Sequence, residues 1–206
     1  MVKKNMPRKF NENQRKIKKS MILESAYHVF CRKGFLDVTM KDIICECGIS
    51  RGGIYLYFSS VDEIFQEVVA VRNKSKFAIV REAVNNNEPF FIVFNNFLSL
   101  QKKRLLHMEN SLLRAMYEYL FSKTEGAAQD FHRAQLDYIK KSVLCMLMLG
   151  VSQGVIHDKN IDIIAENILL IIEGLGILAL SNILTENIIT GQFIIINAII
   201  ESIKKN

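Results

Sequence analysis

The sequence predicts an all-α chain, with a small N-terminal helix-turn-helix followed by a larger helical domain. Three observations carry this reading. The 206 residues include only two prolines, Pro7 and Pro89, so little interrupts a helix over long stretches. Apolar residues recur three and four positions apart in most segments, which is the spacing of one helix face and not the alternation of a strand. Around Gly48, two short apolar-periodic segments are each preceded by a capping residue, Thr39 and Ser50.

Taken in order, a first helix is expected from about Lys16 to Lys33, with Ile22, Ala26 and Phe30 on its core face and Gly34 ending it. Thr39 caps a second helix, and Asp42, three residues on, completes a capping box. Ile43, Ile44 and Cys47 face inward, Gly48 supplies the turn, Ile49 plugs the joint and Ser50 caps a third helix closed by aromatic residues up to Phe58. The box at Ser60–Glu63 starts a fourth helix that runs to about Val84 before Asn85-Asn86-Asn87-Glu88-Pro89 breaks it. Further helices are expected at about 89–105, 108–122, 125–150, 160–183 and 187–204.

The expected domains are a basic arm at 1–15, a helix-turn-helix domain at 16–60 and a helical domain at 61–206. The net charge of +6 is unevenly placed. Residues 1–20 carry eight Lys or Arg against one Glu, whereas the remainder balances nineteen against twenty. A basic arm beside a helix-turn-helix neutralises phosphates and makes binding salt-dependent; its bland alternative is a solvated tail.

A helix-turn-helix lays the start of its second helix in the DNA major groove. Arg51 is the expected base reader, because a forked guanidinium can bond guanine O6 and N7 together. Gly52 and Gly53 leave room for close approach. Thr39, Ser50, Tyr55 and Tyr57 offer hydroxyls to phosphates, Lys41 adds attraction, and Leu56 completes the expected DNA-facing set.

These residues also resemble a known family. Ile22, Ala26, Phe30 and Gly34, then Thr39, Asp42-Ile43, Gly48-Ile49-Ser50-Arg51-Gly52, Ile54-Tyr55, Tyr57-Phe58, Ser60 and Asp62-Glu63 are similar to the N-terminal domain of the TetR family of bacterial transcriptional repressors. Val38, Gly53, Tyr57 and Val61 stand where that family often has threonine, alanine, histidine and lysine. The resemblance implies a helical ligand-binding and dimerisation domain after the head. It also implies a dimer core made by the last two long helices and their copies, and a ligand that releases the protein from a palindromic operator.

The residues beyond Pro89 fit such a domain. Ile168–Leu180 is nearly all apolar apart from Glu173, and a helix apolar all round must be buried or in a membrane. Leu169, Ile172, Gly176 and Leu180, with Phe193, Ile196 and Ile200 on the last helix, are the expected dimer interface; an ordinary buried core hairpin is the competing reading. Phe94, Phe97, Met108, Leu112, Met116, Tyr117, Leu120, Tyr138 and Met146 are the expected lining of a hydrophobic pocket, since adaptable methionines beside aromatics suit an apolar guest. Ordinary core is the competing reading of the same stripe. Glu118 and Glu173, carboxylates in apolar surroundings, are the expected polar groups of that pocket and would suit a cationic hydrophobic effector, with the exposed side of its helix as the alternative place for Glu118.

Other classes find little support. His28, His107, His132 and His157 are scattered, and no GxSxG, P-loop or HExxH occurs, so no enzyme is expected. Cys45 and Cys47 form CxC without a nearby histidine, so neither a metal nor any other cofactor is expected. No apolar segment follows the basic N-terminus as in a signal peptide, which leads to a cytoplasmic expectation. Neither apolar C-terminal run is an uninterrupted membrane span of ~18–20 residues. The expectation is a ligand-responsive, homodimeric repressor of double-stranded operator DNA. The alternatives are a ligand-independent architectural DNA-binding protein and a peripheral membrane protein.

Overall fold

The computed structural model describes residues 8–108, 111–123 and 126–205. Among them lie nine α-helices and no named strand: α1 (Arg8–Lys33), α2 (Met40–Cys47), α3 (Arg51–Tyr55), α4 (Val61–Asn85), α5 (Phe90–Leu106), α6 (Leu112–Ser122), α7 (Ala127–Ser152), α8 (Ile161–Leu180) and α9 (Glu186–Ser202). Every expected helix is present. The largest departure in bounds is α1, which starts at Arg8 and not near Lys16. Residues 8–21 hold only Phe10, Ile17 and Met21 as apolar residues, too few for a clear period, yet nothing after Pro7 stops a helix. Of the expected arm, residues 1–7 lie outside the described residues, and 8–15 are helix.

The chain divides into two compact units. One holds the described residues up to Val71 together with 111–119; the other holds 72–108, 120–123 and 126–205. In the first, Ile22, Ala26 and Phe30 of α1, Ile43 of α2, Ile54 of α3 and Ile64, Phe65 and Val68 of α4 are all buried. Phe30, Phe35, Phe65 and Tyr119 form an aromatic cluster with neighbouring centroids 4.8–6.3 Å apart. Burying each such side chain contributes roughly 1.5–3 kcal/mol, so this cluster is the principal adhesive of a small head.

In the second unit, α5 presents Phe90, Val93, Phe94 and Phe97 to Val143, Met146 and Leu147 of α7, and α8 and α9 add Ile164, Ile168, Ile172, Ile189, Phe193 and Ile196. The break before α5 is held by Gln153, which accepts from the Phe90 N–H at 2.9 Å and donates to the Glu88 carbonyl at 2.8 Å. Among the described residues, α8 alone is long and apolar enough to cross a membrane. Its stripe of Ile161, Ile164, Ile168, Ile172 and Leu175 is buried in this unit instead.

Candidate nucleic-acid interface and internal cavity

The helix-turn-helix is built by local capping chemistry. The Thr39 hydroxyl accepts from the Asp42 N–H, and the Asp42 carboxylate accepts from the Thr39 N–H at 2.8 Å, closing the capping box. Asp42 also takes the Lys33 ammonium at 2.6 Å, tying α2 to the end of α1. Hydrogen bonds from Lys33 and then from Thr39 hold its carboxyl well below the usual carboxylate range. Gly48 ends α2 at φ +64°, in the left-handed region that glycine enters without penalty. Ser50 then caps α3 by accepting from the Gly53 N–H at 3.1 Å.

This frame fixes what faces outward. Arg51, Gly52, Tyr55 and Leu56 are exposed, Leu56 at 73%. Thr39 and Lys41 are exposed at the start of α2, while Gly53 and Tyr57 are half-buried. Arg15 of α1 lies 5.9 Å from the Tyr57 ring centroid, which brings a helical arginine to the edge of the same surface. That neighbour is not legible by sequence spacing, since it depends on α1 extending past Lys16.

Glu118 belongs to this unit. One of its carboxylate oxygens accepts from the Phe35 N–H at 2.5 Å and the Leu36 N–H at 3.2 Å, and the other pairs with Arg114 at 2.7 Å. Burial pushes the carboxyl up, but the Phe35 N–H, Arg114 and the Leu36 N–H outweigh it, and the net shift is downward. Glu118 is therefore the clasp on the turn after α1, and the expected role as a polar group in an apolar pocket is not where the structure puts it. Gly34, at φ +83°, makes the approach possible, because a Cβ there would overlap that carboxylate.

A capped helix pair, a left-handed glycine turn and an arginine exposed at the start of the second helix together describe a DNA-reading head. Comparison with known proteins agrees. Residues 22–68 match the family model for bacterial regulatory proteins of the tetR family. The HTH-type transcriptional regulator YfiR of Bacillus subtilis is 27% identical over 150 residues, covering 72% of this chain and 73% of that protein. The repressor BepR of Brucella suis is 31% identical over 68 residues, or 33% of this chain and 32% of its own. A transcriptional regulator from Saccharomonospora viridis, solved in complex with choline, has a TM-score of 0.71 at 23% identity, covering 93% of this chain and all (100%) of that one. The chain belongs to the TetR family. It is a DNA-binding transcriptional regulator and not an enzyme.

The second unit of this TetR-family regulator encloses a cavity of about 200 Å³. Phe77 and Val80 of α4 and Phe97 and Leu100 of α5 form one side; Ile139 and Val143 of α7 and Leu169 and Ile172 of α8 form the other. Its polar positions are Asn73, Gln101, Arg104 and Glu173. Of the expected pocket residues, Phe97 and Glu173 line this cavity, as do Leu169 and Ile172 from the expected interface. Phe94 and Met146 lie in the surrounding core. Tyr138 packs its ring against Phe77 at 5.0 Å and accepts from Arg81 at 3.2 Å. Met108, Leu112 and Tyr117 are buried, and Met116 and Leu120 half-buried, without lining it. The sequence held a usable signal, since Phe97, Gln101 and Arg104 fall on one face of a helix.

The expected interface residues turn inward. Leu169, Ile172, Gly176, Phe193, Ile196 and Ile200 are buried within the subunit, and Leu180 is half-buried. The accessible stripe of α8 is instead Ile163, Leu170, Gly174 and Ile177, with Leu170 61% exposed. On α9 it is Gly191, Ile194, Ile195 and Ala198, with Ile194 62% exposed. A Cβ at Gly174 or Gly191 would meet nothing within 4 Å. Elsewhere, burial pushes the Cys47 thiol up, away from the thiolate a redox sensor needs. No cluster of potential metal ligands occurs among the described residues.

Proposed function

We propose that the protein is a cytoplasmic, homodimeric repressor that binds palindromic operator DNA and is released by a hydrophobic small molecule. The observation that carries DNA reading is the exposed Arg51-Gly52 step at the capped start of α3. Paired half-sites need a two-fold partner about one helical turn, ~34–36 Å, away. The seven-residue repeat of exposed Ile163, Leu170 and Ile177, beside Ile194 and Ile195, supports α8 and α9 as the surface that meets it. In this reading Gly174 and Gly191 admit a close helix approach, and the subunit-facing residues named above support the interface from behind.

The cavity supports ligand response over a purely architectural role, because a solidly packed domain would not leave a mainly apolar hollow of this size with a few polar groups set into its wall. Asn73, Phe77 and Val80 set the far half of α4 in the cavity wall, while its first residues are part of the head core. A guest that displaces α4 would change the placement of the recognition helix. A coupling of about 1–3 kcal/mol would then shift operator affinity some 5–150-fold.

The test is fluorescence anisotropy with duplexes from the DNA flanking the coding region, alongside sedimentation of the free protein. The expected result is salt-dependent binding of a palindromic duplex by a dimer. A protein that sediments as a monomer at micromolar concentration, or that binds all duplexes alike, would refute the proposal.

A further inference from the structure

The polar groups of the cavity are not equivalent. Asn73 is satisfied, donating to the Gln135 side chain at 2.5 Å. Arg104 and Glu173 each engage other groups already, and Glu173 also acts on the nearby His132 imidazole. Gln101 Oε1 and Arg104 Nε are nonetheless each buried without a hydrogen-bond partner among the described residues, an acceptor and a donor three positions apart on α5 that one hydroxyl or amide could serve together. A buried acceptor without a donor is unfavourable, and in a native protein it calls for a partner.

The two charged residues also constrain the guest. A cation drawn toward Glu173 would meet the Arg104 guanidinium in the same chamber, and an anion drawn toward Arg104 would meet the Glu173 carboxylate. Both ions would shed their hydration among Phe77, Phe97, Val143 and Ile172. An uncharged guest avoids both penalties.

From the orphan acceptor and the balanced charges we infer that the cavity takes a net-uncharged, mainly hydrophobic molecule carrying one hydrogen-bond donor, which it gives to the Gln101 carbonyl. Phenol-like and primary-amide-like compounds have this chemistry. The inference rests on reading the cavity as the effector site.

Isothermal titration calorimetry on the full-length protein, without DNA, tests it with four probes of one shape: para-butylphenol, butylbenzene, para-butylbenzoate and para-butyl trimethylanilinium. The phenol should bind tightest, about ten-fold tighter than butylbenzene. A purely apolar cavity would reverse that order, because the phenol gives up water for nothing in return. Gln101→Met keeps the length and removes the acceptor, so it should abolish the phenol's advantage while leaving operator binding intact. If that variant does not fold, the ranking on the native protein still decides.

Tighter binding of the benzoate or the anilinium, equal binding of phenol and butylbenzene, or no binding of any probe would each overturn the inference. A separate gel-shift assay with the same probes tests the effector reading. Binding in the expected order without DNA release keeps the ligand chemistry and removes the effector role, whereas release without that order does the reverse.

Discussion

Replacing Glu118 by alanine would strip the Phe35 and Leu36 N–H groups of their acceptor and Arg114 of its carboxylate. Hydrogen bonds to a charged group contribute roughly 1.5–3 kcal/mol each; the Phe35 donor is part-buried and would be left unmade, whereas Leu36 is exposed and water can take up its N–H. The two bonds share one oxygen and do not add fully, so the expected loss is about 2–4 kcal/mol. The Arg114 pair adds at most a few tenths of a kcal/mol, because the arginine is largely exposed. For a chain of this length that loss lowers the melting temperature by about 5–12 °C. Glu118→Gln retains one acceptor and should lose roughly half as much. Gly34→Ala attacks the same contact from the other side, by overlap with the carboxylate and by strain at φ +83°. The double variant should therefore cost less than the sum of the two. Calorimetric melting gives the stabilities, and amide exchange at Phe35 and Leu36 reports the bonds directly. A Glu118→Ala protein that melts within about a degree of wild type, with both amides as protected as before, would refute the clasp.

The remaining expectations follow the same geometry. Leu170→Arg and Ile194→Arg, on the exposed stripe, should give folded monomers by light scattering with weakened operator binding; dimers that persist would move the interface elsewhere. Arg51→Ala should cost roughly 1–3 kcal/mol of operator binding and relax preference at one base position per half-site, read by competition against single-base variants. Asp42, Glu63 and Glu118 are all held below their ordinary pKa. Their stabilisation is therefore complete above the unfolded carboxylate range, about pH 4, and is lost as pH falls through the lower folded values. Melting temperatures should be flat from neutrality down to about pH 5 and fall below that, with Asp42→Asn reducing the slope; an unchanged acid profile in that variant would exclude Asp42 from the linkage.

Local chemistry made the head legible in the sequence. A capping residue announces a helix start within four positions, so Thr39, Asp42, Ser50 and Ser60 located α2, α3 and α4 to within a residue or two. The face of α8 was not legible for the opposite reason. A helix apolar nearly all round has no phase, so Leu169 and Ile172 looked as suitable for a partner as Ile163 and Leu170. Only packing against α5 and α7 separates the two stripes. Glu118 shows a third limit. Its partners at 35 and 36 are more than eighty positions away, and a carboxylate in an apolar run announces that it needs donors without saying whose. Gln101 was passed over because a glutamine on a helix is ordinarily solvated, and its burial follows from Phe97 on the same face drawing that side of α5 inward.

Both units are held by apolar packing, but the head adds a second device at the ends of its segments. In the head, carboxylates take backbone N–H groups at the ends of segments: Asp42 at the start of α2, Glu63 on Ser59 before α4, and Glu118 on the turn after α1. Each bond is directional and charge-assisted, and Lys33–Asp42 and Arg32–Glu46 brace α1 against α2. A frame stapled in this way resists internal distortion, which groove reading requires, because Arg51 must reach a base edge with hydrogen-bond accuracy. The walls around the cavity are held by side-chain packing, which is non-directional and accommodates small displacements of whole helices. A signal reaching the head would then move α1, α2 and α3 as one body and leave the helix-turn-helix geometry unchanged. Loss of operator affinity would arise from the placement of an intact reading surface, so an Asp42→Asn or Glu118→Ala protein should differ from a ligand-bound one in a measurable way. The variants loosen the reader itself and weaken half-site and full-site duplexes alike, whereas a ligand should weaken only the full palindrome.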